Sequence, residues 1–210
     1  TFRFHVTQIL SKIAKGLYIM RTVKNILPES AFKTLYFSLV NSHLIYALPA
    51  YGSADRSILN PLIKIQKKAI RIVTKSKWNS HSEPIFQRLG IMRFEDMIKY
   101  SQLEFMHLFE HQRLPESFKN IWRTRNEILS VDNYSLRRAI DLHVETPRTN
   151  FSQKLPLHTF PSLWNTLEPE MKQLWPPKLF KKTLKSQLLS KLNSIINCEN
   201  PFCPDCYNQN

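Results

Sequence analysis

The 210 residues are 42% hydrophobic and 11% aromatic, enough apolar material to bury a core, which excludes disorder throughout. The formal charge is +14 and it is grouped: residues 56–77 hold seven Lys or Arg and no acid, and residues 171–198 hold six Lys and no acid. Grouped cations point to nucleic acid or an anionic membrane surface, since neutralising phosphates releases counterions; the competing reading is a solvated face that keeps the chain soluble. No apolar run approaches the roughly 20 residues of a membrane span, and the N-terminus lacks a charged-then-apolar leader, so the expectation is an intracellular chain, in nucleus or cytoplasm, with no membrane partner. It opens on Thr1 rather than Met, which reads as a piece of something longer.

In chain order, Val6, Ile9, Leu10, Ile13, Leu17 and Met20 recur at helical spacing, and the spacing predicts a helix over 5–22. Pro28 suits the first turn of a second helix, with Phe32, Leu35, Tyr36, Leu39, Val40 and Ala47 as its buried stripe and its end near Pro49 and Gly52. A third, entered through Asn60-Pro61, is the most amphipathic. Leu62, Ile63, Ile65, Ala69, Ile70, Ile72 and Val73 fill half of its circumference, and Lys64, Lys67, Lys68, Arg71 and Lys75 share the other half, with Lys77 beyond its end. One face must pack on a core while the other presents a column of cations to phosphates.

A short helix over 83–89 follows, closed by Gly90 as a left-handed cap. The next runs from about Phe94 to Gln112, with Phe94, Met97, Ile98, Ser101, Phe105, Leu108 and Phe109 on its apolar side and Pro115 beyond it. Between Asn126 and Phe160 the character changes. Ile140, Leu142 and Val144 alternate with polar residues, as Leu155 and Leu157 do across Pro147–Gln153, which suits a small hairpin. Pro161 to Lys172 reads as a short helix around Trp164 and Leu167, and Pro176-Pro177 introduces a last basic helix, to about Asn197, carrying Lys181, Lys182 and Lys185. The fold class is mostly α, with domains expected over 1–125, 126–197 and a cysteine-containing tail, 198–210.

Two patterns raise metal chemistry. His107 and His111, one helical turn apart with Glu110 between, fit the ligand pair of an inverted zinc peptidase, but the helical projection puts both in solvent, away from the apolar stripe. Cys198, Cys203 and Cys206 have zinc-knuckle spacing without a fourth ligand; either the chain is cut short, or a distant residue such as His158 completes the site, or there is none. No adjacent aspartate pair occurs, and Asp55, Asp96, Asp132, Asp141 and Asp205 are scattered, so the residues themselves read as a binder and not as a two-metal catalyst.

Several blocks, in order and spacing, resemble one family. They are Lys12-Ile13-Ala14-Lys15-Gly16, then Leu35-Tyr36-Phe37-Ser38-Leu39-Val40-Asn41-Ser42-His43-Leu44-Ile45-Tyr46, then Tyr51-Gly52. Next comes Leu59-Asn60-Pro61-Leu62-Ile63-Lys64-Ile65-Gln66-Lys67-Lys68-Ala69-Ile70-Arg71-Ile72-Val73, whose Gln-Lys-Lys-Ala-Ile-Arg core is the most specific part. His81-Ser82-Glu83-Pro84-Ile85-Phe86, Pro115-Glu116-Ser117-Phe118, Leu163-Trp164-Asn165-Thr166-Leu167 and Phe180-Lys181-Lys182-Thr183-Leu184-Lys185 continue it. Together they resemble the C-terminal part of non-LTR (LINE-type) retrotransposon reverse transcriptases, over about residues 6–192.

The resemblance implies a thumb-like helical bundle and its extension, gripping an RNA/DNA template–primer duplex, with palm and fingers as partners in the parent polypeptide. The palm would hold the catalytic carboxylates and magnesium; this segment would need no cofactor besides zinc at the cysteines, and would not polymerise DNA alone. Lys64, Lys67, Lys68, Arg71, Lys75, Lys77, Lys181, Lys182 and Lys185 are the expected phosphate contacts. An apolar patch around Tyr18, Tyr36 or Tyr46 is expected where the palm would meet the first helices. The alternatives are a stand-alone interaction module derived from such an element and, further off, a small zinc hydrolase built on His107 and His111.

Overall fold

Val6, Ile9, Ile13, Gly16, Leu17 and Met20, spaced three or four apart, form the buried stripe of α1 (Arg3–Thr22). This is the helix that the spacing predicts. The computed structural model describes residues 2–129 and 141–194. Among them every regular element is helical and no strand forms, so the fold is mostly α.

The described chain divides into two compact units, residues up to Ile98 with the segment from Lys185, and Lys99–Leu184. The division falls inside two helices and not at the change of composition near Asn126.

In the first unit α2 (Glu29–Tyr36) begins immediately after Pro28, whose extended backbone serves as the cap and not as part of the first turn. It passes through a single π turn, Phe37–Asn41, into α3 (Ser42–Ile45). Gly16 lies against that turn: a β-carbon there would come within 3.0 Å of Leu39 Cβ and 3.1 Å of its carbonyl oxygen. The expected helix does not reach Gly52 unbroken. Ala47 takes a left-handed φ of 54° and is exposed, not buried as its place in the stripe implies, and a separate turn, α4 (Leu48–Tyr51), follows. The Tyr51 hydroxyl donates to the Leu44 carbonyl across this break.

The basic helix, α5 (Arg56–Val73), starts five residues earlier than Asn60-Pro61 implies and carries Pro61 inside. Pro61 deprives the exposed Ser57 of an amide partner for its carbonyl, which water can supply there. Leu62, Ala69, Ile70, Ile72 and Val73 are buried as expected, while Ile63 and Ile65 are half-buried. The helix ends in a Schellman motif: Ser76 N–H donates to the Arg71 carbonyl (3.0 Å) and Lys75 N–H to that of Ile72 (3.2 Å), with Lys75 at φ 55° in the place glycine usually takes. Then α6 (Ser82–Leu89) closes on Gly90 at φ 62°, as its sequence implies.

Gln66, from the middle of α5, is the polar centre of this core. Its Nε2 donates to Tyr36 Oη (2.9 Å) and to the Met92 carbonyl (3.1 Å), and its Oε1 accepts from the N–H of Phe94 (2.8 Å), the first residue of α7 (Phe94–Glu110). Tyr36 is therefore buried and not part of an exposed patch; the exposed apolar residues here include Phe4, Tyr18 and Ile19 of α1, Phe37 of the π turn, and Ile45 with Tyr46 at the end of α3.

The second unit is built on the later part of α7. Phe105 meets the edges or faces of Phe118 (5.5 Å between centroids), Trp122 (6.2 Å) and Phe160 (5.7 Å). After α8 (Arg125–Leu129), residues 130–140, which include Ile140 of the expected hairpin, lie outside the described residues. The described part of that hairpin does not form. Leu142 instead makes an isolated antiparallel bridge with Thr124, and the Asn165 side chain accepts from its N–H (3.1 Å) and donates to its carbonyl (2.8 Å). The other expected arm is helical: α9 (Pro156–Asn165) starts at Pro156, whose fixed φ suits a first turn, and Leu157 lies within it. Pro161 is interior to α9 and not its start; α10 (Pro169–Lys172) is a separate turn, and α11 (Pro177–Ser194) is the last helix.

Candidate nucleic-acid interface

On α5, Lys64, Lys67, Lys68 and Arg71 stand at i, i+3, i+4 and i+7, so they form one stripe on the helix surface. The apolar residues opposite fix that stripe outward, because α1, α2 and α6 all pack on α5. Arg21, in the last turn of α1, Lys24, just beyond it, and Trp78, from the loop after α5, join the stripe to line one open hollow of ≈ 580 Å³. Ile72 and Ser76 complete the lining, which holds six Lys or Arg and no carboxylate. The Schellman end of α5 makes this geometry, since it turns the chain back so that Trp78 flanks the stripe.

The cations are not equivalent. Lys67 Nζ lies 3.4 Å from Glu83 Oε1, and Arg71 Nε donates to the Ser80 carbonyl (2.8 Å), so these two also brace the loop and α6. Burial pushes the Glu83 carboxyl up, but the Ser82 hydroxyl with Lys67 and His81 holds it below its ordinary value. Lys75 is turned from the stripe and lies over the Phe32 ring, 6.0 Å from its centroid. Among the described residues, Lys64, Lys68 and Lys77 make no ion pair. They are the cations most available to an outside phosphate.

On α11 the buried positions Phe180, Leu184 and Leu188 face the interior, and Lys182 and Lys185 are exposed. Lys181 is held by the Glu104 carboxylate. Lys181 and Lys182 belong to the second unit, whereas Lys185 begins the segment assigned to the first.

The metal candidates divide in the same concrete way. Cys198, Cys203 and Cys206 lie outside the described residues. His158 Nδ1 lies 3.4 Å from Ser162 Oγ. The solvent placement of His107 is corrected: it is 1% exposed, its ring stacks on Phe180 (4.1 Å between centroids), and its Nε2–H donates to the Leu174 carbonyl (2.9 Å). The apolar side of α7 rotates toward α11 beyond Ser101, so the projection that fits the first half of the helix fails for the second.

Burial lowers the His107 pKa, aided by neighbouring His111 and Lys181 and opposed by the Leu174 carbonyl and Glu104. Stability from a neutral His107 is therefore complete above the ordinary histidine value of about 6.5 and is lost as pH falls through that value toward the lowered folded one. Thermal melting from about pH 7.5 down to about pH 5 should show wild type losing more stability than His107→Gln. Parallel pH profiles for the two proteins would reject this.

Arg21, Lys24 and Trp78 are lining residues of the hollow that the sequence reading misses. The signal present was weak: two cations at the end of a predicted helix, and a tryptophan directly after Lys77 in a loop with little else to bury it. Comparison of the chain with protein-family models, curated proteins and solved structures finds no match.

Proposed function

We propose that this chain is a nucleic-acid-gripping module that holds an RNA/DNA duplex by its phosphates, corresponding to the thumb and C-terminal extension of a LINE-type reverse transcriptase. The observation that carries the binding is the carboxylate-free hollow, in which cations from the end of α1, the segment just after it and α5 converge beside one another. The likeness of residues 59–73 and their flanking blocks to that family supports the polymerase assignment. A thumb follows a duplex of changing sequence, so it needs contacts with phosphate and sugar and not with base edges, and a helix-borne lysine column supplies them. Catalysis would belong to palm and fingers carrying the metal-binding carboxylates.

Lys64 and Lys68 test this most cleanly, because Lys67 and Arg71 have structural partners. Lys64→Ala with Lys68→Ala should weaken binding to an RNA–DNA hybrid and lower the slope of log K against log salt by about two, largely irrespective of sequence. Filter binding or anisotropy across a salt series measures it, and an unchanged slope would remove α5 from the interface. The second reading, a stand-alone interaction module, draws support from the exposed Phe4, Tyr18, Ile45 and Tyr46, which would suit a protein partner.

A further inference from the structure

Trp78 is 87% exposed, although it lines the same hollow as the six cations. Leaving an indole in water forgoes the apolar burial that the fold gives Trp122 and Trp164. What the position offers is a bare aromatic face within one small hollow of Arg21, Lys24, Lys64 and Lys68, with Ile72 as an apolar part of the lining. A base-paired duplex has little use for such a face, because its bases are stacked on each other and it presents phosphate and sugar to a protein helix. An unpaired nucleotide carries a free π face and a phosphate together. Aromatic side chains next to a cationic track are the usual means of holding one. A volume of ≈ 580 Å³ lies within the range of pockets for small ligands and accommodates a nucleotide.

We propose that Trp78 is a stacking platform for an unpaired base, and that the hollow receives a single-stranded segment of RNA or DNA whose phosphates meet Arg21, Lys24, Lys64 and Lys68. The proposal rests on the phosphate-binding reading of the same stripe and adds a substrate class to it, the unpaired strand. Stacking reads the base face and not the sugar, so RNA and DNA strands are held alike, and the base contribution is independent of salt.

The test compares wild type, Trp78→Ala, Trp78→Phe and Lys64→Ala/Lys68→Ala on three probes: labelled oligo(U) and oligo(dT) of about ten nucleotides, the same strands with abasic sites, and a blunt duplex. Trp78→Ala should weaken single-strand binding by about tenfold with an unchanged salt slope, and leave the blunt duplex affinity within about twofold. Trp78→Phe should recover most of the loss. On abasic strands wild type should bind as weakly as Trp78→Ala, and the substitution should cost nothing further. Equal single-strand affinities for wild type and Trp78→Ala, or an equal loss on the blunt duplex, would overturn the platform while leaving the phosphate reading intact. Failure of the wild type to bind any probe, or a salt slope indifferent to Lys64 and Lys68, would instead overturn the phosphate reading, and the platform with it.

Discussion

Gln66→Leu should lower the stability of the first unit by about 3 kcal/mol, on the order of a hundredfold in its folding equilibrium. Leucine occupies nearly the same space, so the loss is one of hydrogen bonds and not of packing. Gln66 is 1% exposed and serves two buried groups, the Tyr36 hydroxyl and the Phe94 N–H, and the part-buried Met92 carbonyl. The most demanding is the N–H of Phe94, which lies in the first turn of α7 and has no partner in its own helix. Each buried group left unpaired costs about 1–3 kcal/mol, partly offset by the added apolar contact of leucine. Burial pushes the Tyr36 phenol up to about 12, against the pull of its hydrogen bond from Gln66, which marks how dry the site is. Denaturant unfolding measures the effect, and a loss under about 1 kcal/mol would show that the Met92 and Phe94 groups find other partners. Where the variant remains folded its salt slope for duplex binding should equal that of wild type, because Lys64 and Lys68 lie on the opposite face of α5.

Phe180→Ala should cost the second unit about 3–5 kcal/mol. The Phe180 ring is fully buried between the imidazole of His107, 4.1 Å away, and the indole of Trp164, 6.1 Å away, so its removal leaves a cavity lined by rigid rings that cannot collapse to fill it. It should also admit water to His107 and thereby flatten the pH dependence of melting, a coupled effect that a cavity elsewhere would not produce. Lys182→Ala, two residues along on the exposed face, should change stability by no more than about 0.5 kcal/mol. Calorimetry on the three proteins decides the matter, and a Phe180→Ala cost near that of Lys182→Ala would show that the ring cluster does not hold the unit together.

Helix identity was legible wherever one face is buried along a whole element, as in α1, α5 and α6, because periodicity records which side meets the core. It failed where two different neighbours claim successive parts of one helix. On α7 Phe94 and Met97 serve the first unit and Met106 and His107 the second, so no single stripe describes it. Proline was misread as a boundary at Pro61 and Pro161, because a helix interior near the surface or near its start tolerates the missing N–H when solvent takes the freed carbonyl. The hairpin expectation rested on alternation alone, which cannot show that both backbone groups of Leu142 bond the Asn165 side-chain amide while the neighbouring Asp141 and His143 bond Arg125 and Arg123. The cationic stripe was readable from local spacing. Arg21, Lys24 and Trp78 were not, since their membership of the hollow depends on how α1 packs and on the turn that ends α5.

That the π turn at Phe37–Asn41 sits where it does bears on the phase of the chain. Phe32, Tyr36, Val40 and Leu44 are all fully buried and follow one another at intervals of four. In an unbroken α-helix each such interval overshoots a full turn by about 40°, so over three intervals Leu44 would drift about 120° from Phe32 and point toward solvent. One extra residue within a turn sets the phase back by about 100° and nearly cancels that drift. Deleting one residue from this turn would restore regular hydrogen bonding and still leave Leu44, and the carbonyl that receives the Tyr51 hydroxyl, facing the core, because Leu44 would then stand eleven residues from Phe32, close to three full turns.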